Sequence, residues 1–146
     1  MPVVRGCNLP EDRIYDVENH MWFQELDDGN LRVGMTAVAA ALAGQLVAVT
    51  PKKAGRSVKP GKSCATIESG KWVGPAKSAV GGEIVAINEA LVAKPYIANE
   101  DPYVEGWLVV LKPEGWEAVK PTLTPGPDVA GPYEAKMAAE GFDGCA

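Results

Sequence analysis

Short segments of alternating apolar and polar residues recur along the chain, with turn residues such as glycine and proline between them. Segments of this length that are rich in β-branched residues are typical of strands. The alanine-rich segment Ala37–Ala43 predicts a short helix that ends at Gly44, and residues 88–93 predict another helical turn. Strands are predicted over residues 31–36, 45–50, 62–68, 72–80, 83–88 and 107–112. The pattern therefore predicts a mainly β protein with short helices, folded as a flattened barrel or sandwich.

The pattern changes in the last part of the chain, where proline and glycine become frequent. Prolines interrupt any continuous ladder or helix, so residues 114–132 are predicted to form a loop. Residues 133–140 predict a short C-terminal helix that docks through Tyr133 and Met137 and is followed by a mobile tail. We divide the chain into an N-terminal extension (1–14), a central domain (15–113) and a C-terminal segment of loop, helix and tail (114–146).

Composition limits the classes of partner. The chain has 146 residues and a formal charge of −5, which suits one domain with modest ends. No apolar run is long enough to cross a membrane, and the N-terminus lacks an export signal, so we expect a cytoplasmic protein without membrane insertion. Lysines and arginines are not interleaved with aromatic residues, so nucleic acid is not an expected partner.

The three cysteines and the single histidine do not form a metal-binding pattern. Cys64 lies in a predicted strand and is expected to be a small buried side chain. Cys7 and Cys145 lie near the termini and are expected to be incidental or to be exposed, reactive thiols. His20 is predicted to be structural and to pack beside Trp22, because no partner for acid–base chemistry is evident.

Residues 64–88 predict two short strands joined by a turn that displays Lys71. Ser69 and Gly70 supply turn chemistry before the lysine, and β-branched residues flank the turn on both sides. A lysine presented on a rigid hairpin suits attachment of a prosthetic group. Taken alone, the tripeptide Ser69-Gly70-Lys71 is weak evidence for such a site, because an exposed lysine is ordinarily only a solvated charge.

Five motifs in order give the chain a resemblance to the glycine cleavage H-protein family of lipoate carriers, from about residue 15 to residue 113. The motifs are His20-Met21-Trp22, residues 31–36, Glu68-Ser69-Gly70-Lys71, residues 82–91 and residues 99–108. The resemblance implies a lipoyl-domain-like fold and a non-catalytic carrier with lipoic acid in amide linkage to Lys71. It also implies that Glu68 and Gly55 aid recognition by the lipoylating enzyme.

The immediate neighbours of the lysine refine this interpretation. Biotin carriers, which have a related fold, place methionine on both sides of the modified lysine, whereas Gly70 and Trp72 stand here. Gly70 is expected to leave room for a modifying enzyme and to tolerate the positive φ that many tight turns demand. Trp72 is equally consistent with a structural plug at the turn and with a cover over the dithiolane ring.

Two positions depart from the glycine cleavage members that the chain resembles. Those proteins have carboxylates that face a cationic aminomethyl group, at the positions of Met21 and Pro75. Burial of an ammonium group without a counter-charge costs on the order of several kcal/mol of solvation free energy. We therefore predict an apolar cleft formed by Met21, Trp72 and Pro75 that suits neutral sulfur groups better than a cation.

The sequence around Lys71 is similar to that of one branch of the family, the lipoate-binding proteins of the sulfur-oxidising heterodisulfide-reductase-like system. That resemblance implies an arm that carries sulfur-bound intermediates. The implied partners are the heterodisulfide-reductase-like complex, a dihydrolipoamide dehydrogenase, and a lipoate ligase or lipoyl synthesis enzymes. Two alternatives stay open: an ordinary glycine cleavage H protein that carries the aminomethyl group, and an unmodified interaction scaffold.

Overall fold

Residues 3–145, which the computed structural model describes, form twelve strands in three sheets. The strands are β1 (Val3–Val4), β2 (Cys7–Asn8), β3 (Ile14–Asp16), β4 (Met21–Glu25), β5 (Leu31–Met35), β6 (Leu46–Pro51), β7 (Ser57–Val58), β8 (Lys62–Ser69), β9 (Val73–Ser78), β10 (Gly81–Ile87), β11 (Val109–Glu114) and β12 (Thr124–Pro125). The largest sheet has the order β12-β3-β4-β5-β11-β10-β7, a second has the order β6-β8-β9, and β1 pairs with β2. The pairings are antiparallel.

Five short α-helices connect and cover the sheets in the described part of the chain. They are α1 (Ala37–Ala43), α2 (Glu89–Ala93), α3 (Ile97–Glu100), α4 (Trp116–Val119) and α5 (Ala130–Glu140). None of them is long and apolar enough to cross a membrane. Helix α1 begins because the Thr36 side chain accepts a hydrogen bond from Ala39 N, and it ends at Gly44.

The main core lies between the seven-stranded and the three-stranded sheets. It joins Phe23 and Leu111 from the larger sheet to Val49 and Ile67 from the smaller one. The alternating burial pattern of β8 and β9 follows from this one-sided packing, since successive residues face opposite sides of a sheet. The predicted fold, a mainly β sandwich with short helices, is confirmed.

Strand β4 was not among the predicted strands. Its first three residues, Met21, Trp22 and Phe23, are all buried, so the segment has no alternation of apolar and polar positions. Phe23 packs into the main core, while Trp22 packs into a second buried cluster beneath α5. Burial on both faces of the strand therefore removes the pattern by which a half-exposed strand is identified.

The C-terminal segment has more structure than the predicted loop. Strand β12 pairs with β3, and α5 begins three residues earlier than expected, at Ala130. Pro132 lies in the first turn of α5, where backbone N–H groups have no partner within the helix, so the missing N–H of proline costs no hydrogen bond. The predicted docking through Tyr133 and Met137 is confirmed, because both side chains are fully buried in the second cluster.

The cysteines near the termini are bonded to each other, which corrects the expectation of exposed, reactive thiols. Cys7 and Cys145 form a disulfide with their Cα atoms 5.0 Å apart. The tail after α5 was expected to be mobile, but Cys145 N donates to Arg5 O and Phe142 N donates to Met137 O. Cys64 is free and buried, as predicted.

Candidate functional site

The loop between β8 and β9 carries Lys71 at its tip, and we call these two strands with their loop the arm hairpin. Glu68 and Val73 are the last paired residues before the loop. Ser69 N donates to Trp72 O at 2.8 Å, and Lys71 N donates to Ser69 Oγ at 3.3 Å. The buried Ser69 thus holds the base of the loop, while Lys71 and its two neighbours are exposed.

A cleft of about 480 Å³ opens beside Lys71. It contains three of the residues predicted for it from the sequence, namely Met21, Trp72 and Pro75. Most of its remaining wall is apolar: Met35, Ala39, Leu42, Ala43, Ile67 and Ala76. The sandwich therefore places an apolar cavity directly beside the exposed lysine.

Two methionines form part of this wall. Met21 of β4 and Met35 of β5 are directly paired across the two strands, and both are buried. Because paired residues project to the same face of a sheet, the two thioether side chains enter the cleft together. Met35 was not predicted as a site residue, although its distance from Met21 along the chain suits a hairpin pairing.

Two glycines permit close contacts at the mouth of the cleft. A Cβ at Gly44 would lie 3.2 Å from Lys71 Cε, so the lysine side chain runs past the end of α1. A Cβ at Gly74 would overlap the indole of Trp72. The Trp72 ring therefore packs on the backbone of β9. It is 43% exposed and also lines the cleft.

A polar group that sequence reasoning missed lies at one end of the cleft. His20 Nε2 lies 2.9 Å from Glu140 Oε1, and His20 Nδ1 lies 3.1 Å from the Tyr133 hydroxyl. His20 has a left-handed φ of 57°, and its ring stacks on Tyr133 with the centroids 5.6 Å apart. The expected packing of His20 beside Trp22 is replaced by this packing on α5. The seven-residue spacing from Tyr133 to Glu140 places both on one helix face and was the available sequence signal.

The charge state of this group follows from its burial. Burial lowers the pKa of His20, and the nearby Glu140 carboxylate opposes that shift only in part. Burial raises the pKa of the Tyr133 hydroxyl, which therefore stays protonated. Near neutral pH, a neutral His20 donates from Nε2 to Glu140 and accepts from Tyr133 at Nδ1. Glu140 thus accepts a hydrogen bond from His20 at the rim of the cleft.

The other predicted site residues lie outside the cleft. Glu68 is exposed on the arm hairpin, and Gly55 lies in the loop after β6, where its N–H donates to Ile84 O at 2.7 Å. The φ of Gly70 is not positive, and no atom lies within 4 Å of a Cβ built there. Its backbone therefore does not require glycine, and the missing side chain serves only to leave the surface beside Lys71 open.

No cluster of three or more His, Cys, Asp or Glu suited to a metal ion occurs among the described residues. The site therefore offers an exposed amine, an apolar cleft and one polar pair. These groups are able to present and shelter an attached arm, and the two thioethers suit a group that contains polarisable atoms such as sulfur.

Comparisons with known proteins agree with this geometry. The model of the family described as glycine cleavage H-protein matches residues 13–131. "Glycine cleavage system H protein 5" of Aquifex aeolicus is 53% identical over 84% of this chain and 85% of its own length. "Probable glycine cleavage system H protein 2" of Sulfurisphaera tokodaii is 39% identical, with 85% of each chain covered.

A solved structure shows the same fold. The crystal structure of a glycine cleavage system H protein from Mycobacterium marinum superposes with a TM-score of 0.74 at 34% identity, and the match covers 84% of this chain and 97% of that one. The chain belongs to the glycine cleavage H-protein family, whose members are non-catalytic proteins that carry lipoic acid covalently on a lysine.

Proposed function

We propose that Lys71 is the lysine that carries lipoic acid, and that the resulting arm shuttles sulfur-bound intermediates between the enzymes of a cytoplasmic sulfur-oxidation system. When attached, this group would supply a disulfide–dithiol couple to which the carried group binds. The observation that supports this role most strongly is the apolar wall of the cleft. It includes Met21 and Pro75, which stand where the resemblance implies carboxylates in the glycine cleavage members.

The residues at the site fit a lipoyl group. Lys71 is exposed at the tip of a hairpin whose loop is held by Ser69, so its amine is accessible to an acylating enzyme. Gly44 provides a channel for the lysine side chain toward the cleft. The cleft is wide enough for a small ring, because its volume of about 480 Å³ lies within the range of small-molecule sites.

The cleft residues favour a neutral, sulfur-containing cargo. Thioether side chains are soft and polarisable, so Met21 and Met35 make favourable contacts with sulfur atoms. Met21, Met35 and Pro75 offer no negative charge to a buried ammonium group. Burial of such a cation without a counter-charge costs on the order of several kcal/mol of solvation free energy. The chain's own residues thus bind and orient the arm and exclude water from one side of it.

The names of the relatives are compatible with a division of roles. The relatives in Aquifex aeolicus are H proteins numbered 2, 3 and 5, so one organism contains several family members. We propose that this chain serves the heterodisulfide-reductase-like complex, together with a lipoate ligase or lipoyl synthesis enzymes and a dihydrolipoamide dehydrogenase.

One observation favours the alternative that the chain carries the aminomethyl group in glycine cleavage. Glu140 brings a carboxylate to the rim of the cleft, where the sequence had predicted no acid. Its oxygen is engaged by His20, which reduces its capacity to accept a hydrogen bond from another group. The names of the relatives also refer to glycine cleavage. This alternative is therefore the one against which the sulfur role is tested.

We propose a cytoplasmic location, and the state of the disulfide in the host cell bears on it. Disulfides are rare in the cytosol of mesophiles but occur in intracellular proteins of hyperthermophiles. Alkylation of free thiols at the moment of cell lysis, followed by mass analysis, shows whether Cys7 and Cys145 are bonded in the host. Fractionation of the same cells locates the protein.

The first experiment tests the attachment. Peptide mapping of the protein isolated from its native host should find lipoic acid on Lys71, and the Lys71→Arg variant should have the mass of the bare chain. Unsubstituted Lys71 in native material would contradict the carrier function, whichever pathway is considered.

The second experiment separates the two pathways. The lipoylated chain should restore growth to a thiosulfate-oxidising strain that lacks its own carrier, and it should support little glycine–bicarbonate exchange with the glycine decarboxylase. The double variant Met21→Glu/Pro75→Asp, which restores the two acids, should gain exchange and lose complementation. Efficient exchange by the wild-type chain without complementation would assign it to glycine cleavage.

A further inference from the structure

The positive charge of the protein is concentrated around the arm hairpin. Residues 51–82 contain seven of the 14 lysines and arginines and only one of the 19 acidic residues, Glu68, so this segment carries +6. The rest of the chain carries −11, which gives the total of −5. An average over the whole sequence hides this division. The molecule is therefore strongly polarised, with half of its cations and almost none of its acidic residues on the segment that presents Lys71.

Six of these cations form what we call the basic face. All six are exposed, and none of them forms an ion pair within the part of the chain that the structure describes. The basic face consists of Lys52, Lys53, Arg56, Lys59, Lys62 and Lys77. Elsewhere cations are commonly paired, as Arg5 is with Glu134 and Lys120 with Glu25. The basic face thus keeps its charge available to a partner.

The fold brings these residues to one end of the smaller sheet. Lys62 pairs with Ser78, and Lys77 pairs with Ser63, where β8 begins and β9 ends. Lys52 N donates to Cys64 O, which fixes the loop after β6 at the same end. Strand β8 has eight residues, so this end lies roughly 25 Å from Lys71 at about 3.3 Å per residue.

We propose that the basic face is a docking surface for an acidic face of the enzyme that acylates Lys71. The inference rests on the proposed attachment at Lys71. An unmodified lysine side chain is much shorter than the finished arm, so the acylating enzyme must contact the sheet that presents the lysine. Enzymes that act later are reached by the longer arm and do not need to cover the sheet.

The charge distribution favours an acidic protein over other polyanions. Single-stranded nucleic acid is bound through aromatic side chains as well as cations, and Trp72 is the only aromatic residue in residues 51–82. The net negative charge of the rest of the chain repels an extended anionic polymer or surface, whereas a compact acidic patch meets only the basic face. Complementary charge of this kind raises the association rate and orients the encounter.

The test measures acylation of the full-length chain by the host's lipoate–protein ligase, supplied with lipoate and ATP. The variant Lys62→Glu/Lys77→Glu reverses two charges of the basic face. The matched control, Lys94→Glu/Lys120→Glu, makes the same change in net charge elsewhere, and the exposed pair of Lys120 with Glu25 contributes little to stability. Equal thermal unfolding midpoints verify that both variants are folded.

We expect kcat/KM for the basic-face variant to fall about tenfold at low ionic strength, with kcat unchanged at saturating carrier concentration. The control should change by less than about twofold, and at about 0.5 M salt the two variants should converge. Equal losses in both variants, or no loss in either, would overturn the inference while leaving the carrier function intact. Failure of the ligase to acylate the wild-type Lys71 would overturn both.

A binding measurement separates a protein partner from a lipid surface. Sedimentation with vesicles that contain phosphatidylglycerol should show no association of the wild-type chain. Association that the basic-face variant loses, with unchanged ligase kinetics, would assign the face to anionic lipid and overturn the proposal.

Discussion

The arm hairpin and helix α5 border the same cleft, but they are held in place by different interactions. The hairpin tip depends on backbone pairing and on the side chain of Ser69, and it leaves Lys71 and Trp72 exposed. Helix α5 is anchored by the fully buried Tyr133 and by the disulfide just beyond its end. One wall of the cleft is therefore exposed to other proteins, while the other is a rigid wall held by burial and a covalent bond.

The largest expected effect comes from removing the anchor of α5. Tyr133→Ala deletes a buried ring together with its hydrogen bonds to Thr36 and His20, so the free energy of unfolding should fall by about 3–5 kcal/mol. The matched change on the hairpin, Trp72→Ala, should cost less than about 1 kcal/mol because the ring is already 43% exposed. Urea denaturation of both variants measures the difference. Similar losses would show that the two walls are not held differently.

The disulfide provides the second test of the rigid wall. Cys7 and Cys145 are separated by 138 residues, so the crosslink restricts the unfolded chain strongly, and Cys145→Ser should lower stability by about 2–4 kcal/mol. In the folded variant, burial raises the pKa of Cys64 to about 12, so this thiol does not react with the Cys7 thiol that the substitution frees. A reductant present throughout the unfolding measurement of the variant keeps both thiols reduced once the chain unfolds. Thiol titration of the denatured, unreduced wild-type chain should find one group. Three thiols would show that the bond is absent.

A smaller change sharpens the description of the accessible wall. Gly74→Ala places a Cβ where the Trp72 ring now lies, and the ring should swing outward because it is packed on only one side. The cost should be about 0.5 kcal/mol, as is usual for a surface change. The expected signature is a red shift of tryptophan emission. Gly131→Ala serves as the control, since its φ is not left-handed and a Cβ there has no atom within 4 Å. Equal spectra for the two variants would contradict the observed packing.

The smallest expected effect depends on pH. Burial lowers the pKa of His20 below its ordinary value of 6.5, against the opposing effects of Glu140 and Asp16 and together with that of Lys136. As the pH falls through 6.5, the unfolded chain binds a proton at His20 that the folded chain does not bind. The free energy of unfolding should therefore decrease between pH 7.5 and pH 5.5, approximately.

Because His20 is the only histidine, the variant His20→Gln isolates its contribution. In that variant the slope of stability against pH should be shallower over the same interval. A slope that is identical in the two proteins would show that His20 titrates normally.

The sequence was most informative where structure is local. Strands β5, β6, β8, β9 and β10 were predicted because apolar residues alternate on half-buried strands. The exposed loop at Lys71 follows from the turn residues beside it. Ordered family motifs then gave the carrier function. The sequence was uninformative for Met21–Glu25, where burial on both faces removes the alternation.

The sequence by itself determined the sandwich and the hairpin that presents Lys71, because both depend on residue type and short-range spacing. The tertiary structure decided what surrounds the lysine. Glu140 reaches His20 across 120 residues, and Cys145 reaches Cys7 across 138. No local pattern encodes such contacts, since they arise only when packing of α5 brings the two ends of the chain together.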